Sequence, residues 1–271
     1  MKTSFSSMKK QTQRGFTLVE IAIVLVIIGL LIGGVLRGQE LLNSARVNSI
    51  NSQQSSIQTA YYGFIDRYKA TPGDLTSAQA LLVNNLTLPA SGAAANGGDG
   101  IVPFVDSPAF FNNLAQAGFL ACTPCSATTL VTAGAAGAAA TYTAVPTQVS
   151  GSNTMVNVYG APLMFQSGAT AALVGGATAG AIEFLAATAE IAKPMLSTGN
   201  TVTSAMLAEV DRKVDDGNPA GGTFRYSDNG VNTVATPKVS PAVSAACWAV
   251  NAGAYTWVVN PPGNCQGVTT F

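Results

Sequence analysis

The chain has 271 residues, of which 10% are charged, with 13 basic and 13 acidic side chains and a formal net charge of zero. No net basic field exists to hold nucleic acid or an anionic membrane surface by bulk charge. Histidine is absent, which removes the Ser/His, Cys/His and His-metal constellations behind most hydrolases and zinc enzymes, so no catalytic residues and no enzyme activity are expected.

Residues 1–14 carry Lys2, Lys9, Lys10 and Arg14 and no acid. From Phe16 to Leu36 the only clearly polar side chains are Thr17 and Glu20. As a helix this stretch is roughly 31 Å long at 1.5 Å per residue, the thickness of a bilayer core. Basic residues crowd its N-terminal side and Arg37 alone closes the other, so the positive-inside rule leaves the N-terminus cytoplasmic. A secretory signal peptide would have a shorter apolar region and a small-x-small cleavage site, whereas RGQELLNSARV follows Leu36 and reads as more helix. A plain membrane anchor accounts for the length of the apolar run but not for Glu20, whose insertion costs on the order of 3 kcal/mol and marks it as functional.

Arg14-Gly15-Phe16-Thr17-Leu18-Val19-Glu20, behind a basic leader and opening an apolar helix, resembles the processing site of type IV prepilins and type II secretion pseudopilins. The resemblance covers about residues 9–70. It implies that an aspartyl prepilin peptidase cuts between Gly15 and Phe16 on the cytoplasmic side and that Phe16 becomes N-methylphenylalanine. It further implies assembly through Thr17 and Glu20, the Glu20 carboxylate meeting the N-terminal amine of a neighbouring subunit in an apolar filament core, where low dielectric strengthens the pair. The implied partners are other pilins in a homo- or hetero-polymer and an inner-membrane assembly platform with its ATPase. Removing the leader takes four of the 13 basic residues and leaves 256 residues.

After Arg37 the helix turns amphipathic, with Val47, Ile50, Ile57, Tyr61, Phe64 and Tyr68 at spacings of three, four or seven and Gln54 filling the gap in the stripe. Thr71-Pro72-Gly73-Asp74 should end it, giving one helix from Phe16 to Ala70. The stripe is too short and too aromatic for a coiled coil and suits packing on a sheet. Many major pilins carry a proline beyond the middle of the apolar run. Here Arg37 stands in that region, and Gly29, Gly33 and Gly34 weaken the helix instead, each by about 1 kcal/mol relative to Ala. The local melting on assembly that the resemblance implies would then be a glycine effect.

The organisation expected is a leader (1–15), a long N-terminal helix (16–70, with 16–36 transmembrane or filament core) and a periplasmic or extracellular head (71–271). The head should hold a helix at Ser77–Leu86, another capped by Ser107 with Pro108 in its first turn and Phe111, Leu114 and Gly118 following, and a third at Thr203–Val214. Strands are expected at Tyr142–Val149, Met155–Phe165 with a break at Gly160-Ala161-Pro162, Ala181–Ala186 and Phe224–Tyr226, with a hairpin from Cys247–Val250 to Tyr255–Val259 around Asn251-Ala252-Gly253. The fold class is α+β: a long helix, transmembrane and then amphipathic, on a pilin-like head with an antiparallel sheet. The Ala/Gly/Thr tracts at 126–140 and 167–181 read as low-complexity loops or flat strands, open to glycosylation if exposed.

Cys122-Thr-Pro-Cys125 admits redox, zinc and structural readings. Zinc lacks a second knuckle and redox lacks a βαβ context, so a structural disulfide fits best. Cys247 and Cys265 then bound a C-terminal loop resembling the disulfide-bounded region of many type IV pilins, although four cysteines allow three connectivities. No cofactor is expected, with calcium the one candidate. Asn96–Ile101 has part of an EF-hand pattern but lacks most oxygen donors, while Asp211, Asp215, Asp216 and Asn218 could bind calcium as some pseudopilins do with a different loop, or form a solvated turn.

The reading is a pilin-like structural subunit, major or minor, inserted in the inner membrane and then polymerised into an extracellular pilus. The alternatives are a periplasmic type II secretion pseudopilin and a membrane-tethered periplasmic binding or redox module. Such a polymer would serve adhesion, twitching, DNA uptake or secretion.

Overall fold

A computed structural model describes residues 17–83, 98, 100, 102, 107–122, 125, 154–167, 183–184, 193–228, 247–251, 254–258 and 265–271. The leader with Gly15 and Phe16, residues 84–97, Asp99, Ile101, the tract 126–140, the segment Tyr142–Val149 and most of 167–181 lie outside the described residues. The chain divides into two units, one ending at Ala45 and one running from Arg46 to Phe271.

Helix α1 is continuous from Leu18 to Tyr68. It ends where Lys69 takes a left-handed backbone (φ 51°), ahead of the Thr71-Pro72 stop. Gly73 then turns the chain at φ +90°, and a Cβ there would lie 3.0 Å from Val102 Cγ1, so both conformation and space demand glycine. Within the second unit, α1 buries Val47, Ile50, Gln54, Ile57, Ala60, Tyr61 and Phe64, the amphipathic stripe expected from spacing. Gln54 in that stripe is anchored on one side only: its Nε2 donates to the Ser197 carbonyl at 3.1 Å, while its Oε1 is buried with no hydrogen-bond partner among the described residues. The bond to a backbone acceptor offsets part of the cost of burying the amide.

Short helices flank this core. Helix α2 (Ser77–Leu82) opens on a capping box between Thr76 and Gln79. Helix α3 (Ser107–Gln116) buries Phe110, Phe111 and Leu114. Ser107, expected as its cap, lies inside the helix and its hydroxyl instead accepts from the Phe165 N–H at 2.8 Å. Phe110 stacks on Phe165 with centroids 3.6 Å apart. Phe119, just past α3, lies on α1 at Gly63, where a Cβ would come within 2.9 Å of its ring.

The head carries a five-stranded antiparallel sheet in the order β1-β3-β7-β4-β2. Its strands are β1 (Phe165–Gln166), β2 (Glu183–Phe184), β3 (Met195–Ser197), β4 (Phe224–Asp228) and β7 (Gly267–Thr270). Leu196 pairs with both Phe165 and Thr269, and Phe224 pairs with Thr269 from the other side. The expected strand over 155–165 is mostly a tight loop. Asn157 Oδ1 accepts from the N–H groups of Tyr159 and Ala161, turning the chain where Gly160-Ala161-Pro162 predicted a break. Strands β3 and β7 were not expected, yet β7 is the centre of the sheet.

Helix α4 (Ser204–Val214) is capped by Thr203, in agreement with the expected span. A second sheet pairs β5 (Trp248–Asn251) with β6 (Ala254–Trp257) as the expected hairpin, in register from Trp248↔Trp257 to Asn251↔Ala254. Among the described residues the two largest clusters of the core lie along α1, beside a smaller one of Met195 and Val268. One joins Ile57, Tyr61 and Phe64 to α3, Phe165 and Leu196. The other joins Val47 and Ile50 to α4, Phe224, Tyr226 and Trp257. The architecture is α+β, with the later turns of a long helix lying against an antiparallel sheet.

Candidate functional site

The first turn of α1 shows what the sequence does with its one acid in an apolar stretch. Thr17 precedes the helix and Glu20 is its third residue. One carboxylate oxygen of Glu20 accepts from the Thr17 N–H at 2.8 Å and from the Thr17 hydroxyl at 2.9 Å, and the Glu20 N–H donates to Thr17 Oγ1 at 3.3 Å. This is a capping box, which satisfies donors that the helix ladder leaves unpaired and places negative charge at the positive end of the helix dipole. The signal, Thr-x-x-Glu ahead of an apolar run, is present in the sequence but is obscured when Glu20 is weighed only as a misfit in a membrane span.

From Leu18 to Leu36 the large apolar side chains are exposed, Leu18 at 86% and Leu30 at 73%. The helix that contains them is long and apolar enough to cross a membrane. Gly29, Gly33 and Gly34 lie within unbroken helix. Arg37 pairs with Glu40 at 2.6 Å just past the apolar run. An apolar surface of this extent on a helix needs lipid or other protein to cover it.

The cysteines join as Cys122–Cys125 and Cys247–Cys265. Cys125 is buried in the core beside Phe111 and Leu114, with Cys122 half-buried at its edge. Cys247 and Cys265 are both buried in the α4 cluster, and Cys265 also bridges Val202 through its backbone. Closing that loop contributes roughly 3 kcal/mol by chain entropy.

Asp211, Asp215 and Asp216 offer carboxylate oxygens that lie within 4.8 Å of one another. Each already organises the chain after α4. Asp211 accepts from Trp257 Nε1 at 2.7 Å and from the Gly217 N–H at 3.2 Å. Asp215 accepts from the N–H groups of Thr223 and Phe224, and Asp216 from the Asn218 N–H at 2.8 Å. Asn218 turns its own oxygen to the Ala220 N–H at 3.1 Å. Aspartates that accept from backbone N–H groups a few residues on are turn-formers, which is the solvated-turn reading extended into the core by Asp211.

Burial pushes the Asp211 carboxyl up to about 6 from its ordinary 3.8, with hydrogen bonds from Trp257 and Gly217 opposing and the charges of Asp216 and Asp215 adding to the rise. A raised carboxyl binds its proton more tightly when folded. This group's contribution to stability is therefore full below about pH 4 and is lost as pH rises to about 6. Asp211→Asn is expected to make the unfolding free energy less sensitive to pH across that window. The variant should gain on wild type as pH rises, on top of a constant penalty because one amide oxygen cannot accept from both donors. Denaturant unfolding of both chains at several pH values checks this, and parallel curves would remove Asp211 as the titrating group.

No curated protein and no solved structure matches the chain. The family model described as the prokaryotic N-terminal methylation motif matches residues 10–36, the basic approach, Gly15-Phe16, the capping box and the whole apolar run. The motif points to a structural subunit rather than an enzyme, to processing by prepilin peptidase and to assembly into pilus-like polymers. Over residues 10–36 the chain thus carries the N-terminal methylation motif, the signature of type IV pilins and pseudopilins.

Proposed function

We propose that the protein is a structural subunit of a type IV pilus-like filament. It enters the inner membrane with its N-terminus cytoplasmic and its head outside, is cut between Gly15 and Phe16, is methylated on Phe16, and polymerises through its apolar helix. The observation that carries this reading is an exposed apolar helix with a single acid, Glu20, in its first turn, inside a matched methylation motif. In a filament the neighbouring helices cover the apolar side chains, and Glu20 receives a cationic amine in a medium of low dielectric. This role needs no cofactor.

Sheared filaments from cells expressing the chain with a prepilin peptidase and assembly platform test the reading. Mass spectrometry is expected to find a chain starting at N-methylated Phe16, with the leader gone. An intact Met1 on a monomeric membrane protein would overturn it in favour of a tethered module. Recovery of the polymer only from the periplasm would assign it to a secretion pseudopilus.

A further inference from the structure

The Cys122-Thr-Pro-Cys125 pair lies outside the apolar helix through which the chain is proposed to polymerise, and the two disulfides differ in access. Cys247 and Cys265 are both buried in the cluster that holds Phe224 and Trp257. In the other pair only Cys125 is buried, while Cys122 is half-buried at the edge of the core and its neighbour Ala121 is exposed. We propose that Cys122–Cys125 is a thiol-exchange site: a dithiol opens it from the Cys122 side and an oxidised thiol closes it again, while Cys247–Cys265 stays shut and the head stays folded.

The bond runs from the core to its edge, so a nucleophile meets Cys122 first. A thiolate of the dithiol bonds to Cys122 Sγ, the Sγ–Sγ bond breaks, and the departing Cys125 sulfur takes up a proton. The second thiol of the reagent then gives up its proton and attacks the reagent sulfur bound to Cys122. This closes the reagent's own disulfide and releases Cys122, which is protonated in turn. Two electrons pass from the dithiol to the cysteines, and its two protons end on them. An oxidised thiol runs the same steps backward. Cys247–Cys265 is reached by the same reagent only when its core opens, an event whose free energy in buried regions approaches that of global unfolding.

Opening is local because each cysteine is held by more than the bond. Cys125 sits in the cluster that contains Phe111 and Leu114. Ahead of Cys122 the chain leaves α3 through Gly118, at φ +79°, and the N–H groups of Phe119 and Leu120 both donate to the Leu114 carbonyl, at 2.9 and 3.3 Å. This left-handed glycine end is a self-sufficient stop for a helix. Phe119 continues from it onto α1 beside Phe64, with ring centroids 6.1 Å apart. The two thiols therefore stay near one another when the bond is open, and closing it is an intramolecular step at high effective concentration. Chain entropy separates the pairs in the same sense. Losing the cross-link between residues three apart lowers the folding equilibrium about 20-fold, against about 200-fold for the one between residues 18 apart.

The test exposes the full-length chain in detergent, without denaturant, to dithiothreitol, traps free thiols with N-ethylmaleimide at intervals and maps the labels by mass spectrometry. Labels on Cys122 and Cys125 are expected at least about a hundredfold sooner than on Cys247 and Cys265. The chain with only the first pair open is expected to keep a cooperative thermal transition and to exchange amides over residues 117–122 up to about 20-fold faster. Oxidised glutathione should then restore Cys122–Cys125. Reduced glutathione, a monothiol, is expected to leave its adduct on Cys122. The double variant Cys122→Ser, Cys125→Ser should fold and melt as the opened chain does. Opening of both pairs together, opening of neither, an adduct on Cys125, failure to close again, or a chain that unfolds when this pair alone is open or replaced would each overturn the proposal.

Discussion

Glu20→Ala is expected to be inserted and cleaved like the wild-type chain and to yield filaments at about a hundredth of its level or less, because removing one partner of a buried ion pair costs about 3–5 kcal/mol. Insertion is not the weak step, since the alanine removes the most polar side chain of the span and an insertion cost on the order of 3 kcal/mol. The proposed cleavage site, Gly15-Phe16, is left in place by the substitution. On the proposed reading, what is lost is the acid that would answer a neighbour's amine in the filament core. Comparing the sheared fraction with total processed subunit by immunoblot separates assembly from expression. A Glu20→Ala chain that polymerises at wild-type yield would refute docking through this carboxylate.

The second large effect is expected in the head. Phe64 is fully buried on α1 and its ring lies 4.7 Å from that of Tyr68 and 6.1 Å from that of Phe119, within the cluster that includes Leu114 and Leu163. Truncating it to alanine leaves a cavity between the helix and the head, so Phe64→Ala is expected to cost about 3–5 kcal/mol. In a unit of this size that lowers Tm by roughly 10 °C. Leu82, 71% exposed on α2, is the control, and its truncation should stay within about 0.5 kcal/mol. Thermal unfolding followed by circular dichroism in detergent distinguishes the two. Equal effects would mean that the amphipathic half of α1 does not pack as described.

The two substitutions probe the same helix for opposite reasons. Before Arg37 its apolar side chains are exposed and wait for an environment. After Ala45 they are buried by the head's own residues. A pattern that passes from apolar on all sides to amphipathic along one helix suits an element that, on the proposed reading, is assembly surface at one end and spine of a folded unit at the other.

Much of this was legible from residue order alone. The apolar run, the stripe from Val47 to Tyr68 and the Thr71-Pro72 stop depend on side chains within a few turns of one another, so periodicity and backbone sterics suffice to place α1. Helix α4 and the β5–β6 hairpin were readable on the same grounds, through Thr203 and Asn251-Ala252-Gly253. The capping box at Thr17 and Glu20 was equally local. The weaker reading of Ser107 has a tertiary cause: a serine ahead of a helix was read as a cap, but Phe165, far along the chain, offers its N–H to the same hydroxyl.

Amino-acid order by itself determined the processing motif, the long helix with its change of face, and the residues Gly15, Phe16, Thr17 and Glu20, because each is defined by neighbours along the chain. Only tertiary structure decided that Gly267–Thr270 is the central strand, that Gln54 answers Ser197, and that Asp211 meets Trp257. A short strand such as Gly-Val-Thr-Thr has no local pattern strong enough to declare itself. It forms because partners on both sides satisfy its backbone N–H and C=O groups, and those partners are distant in sequence.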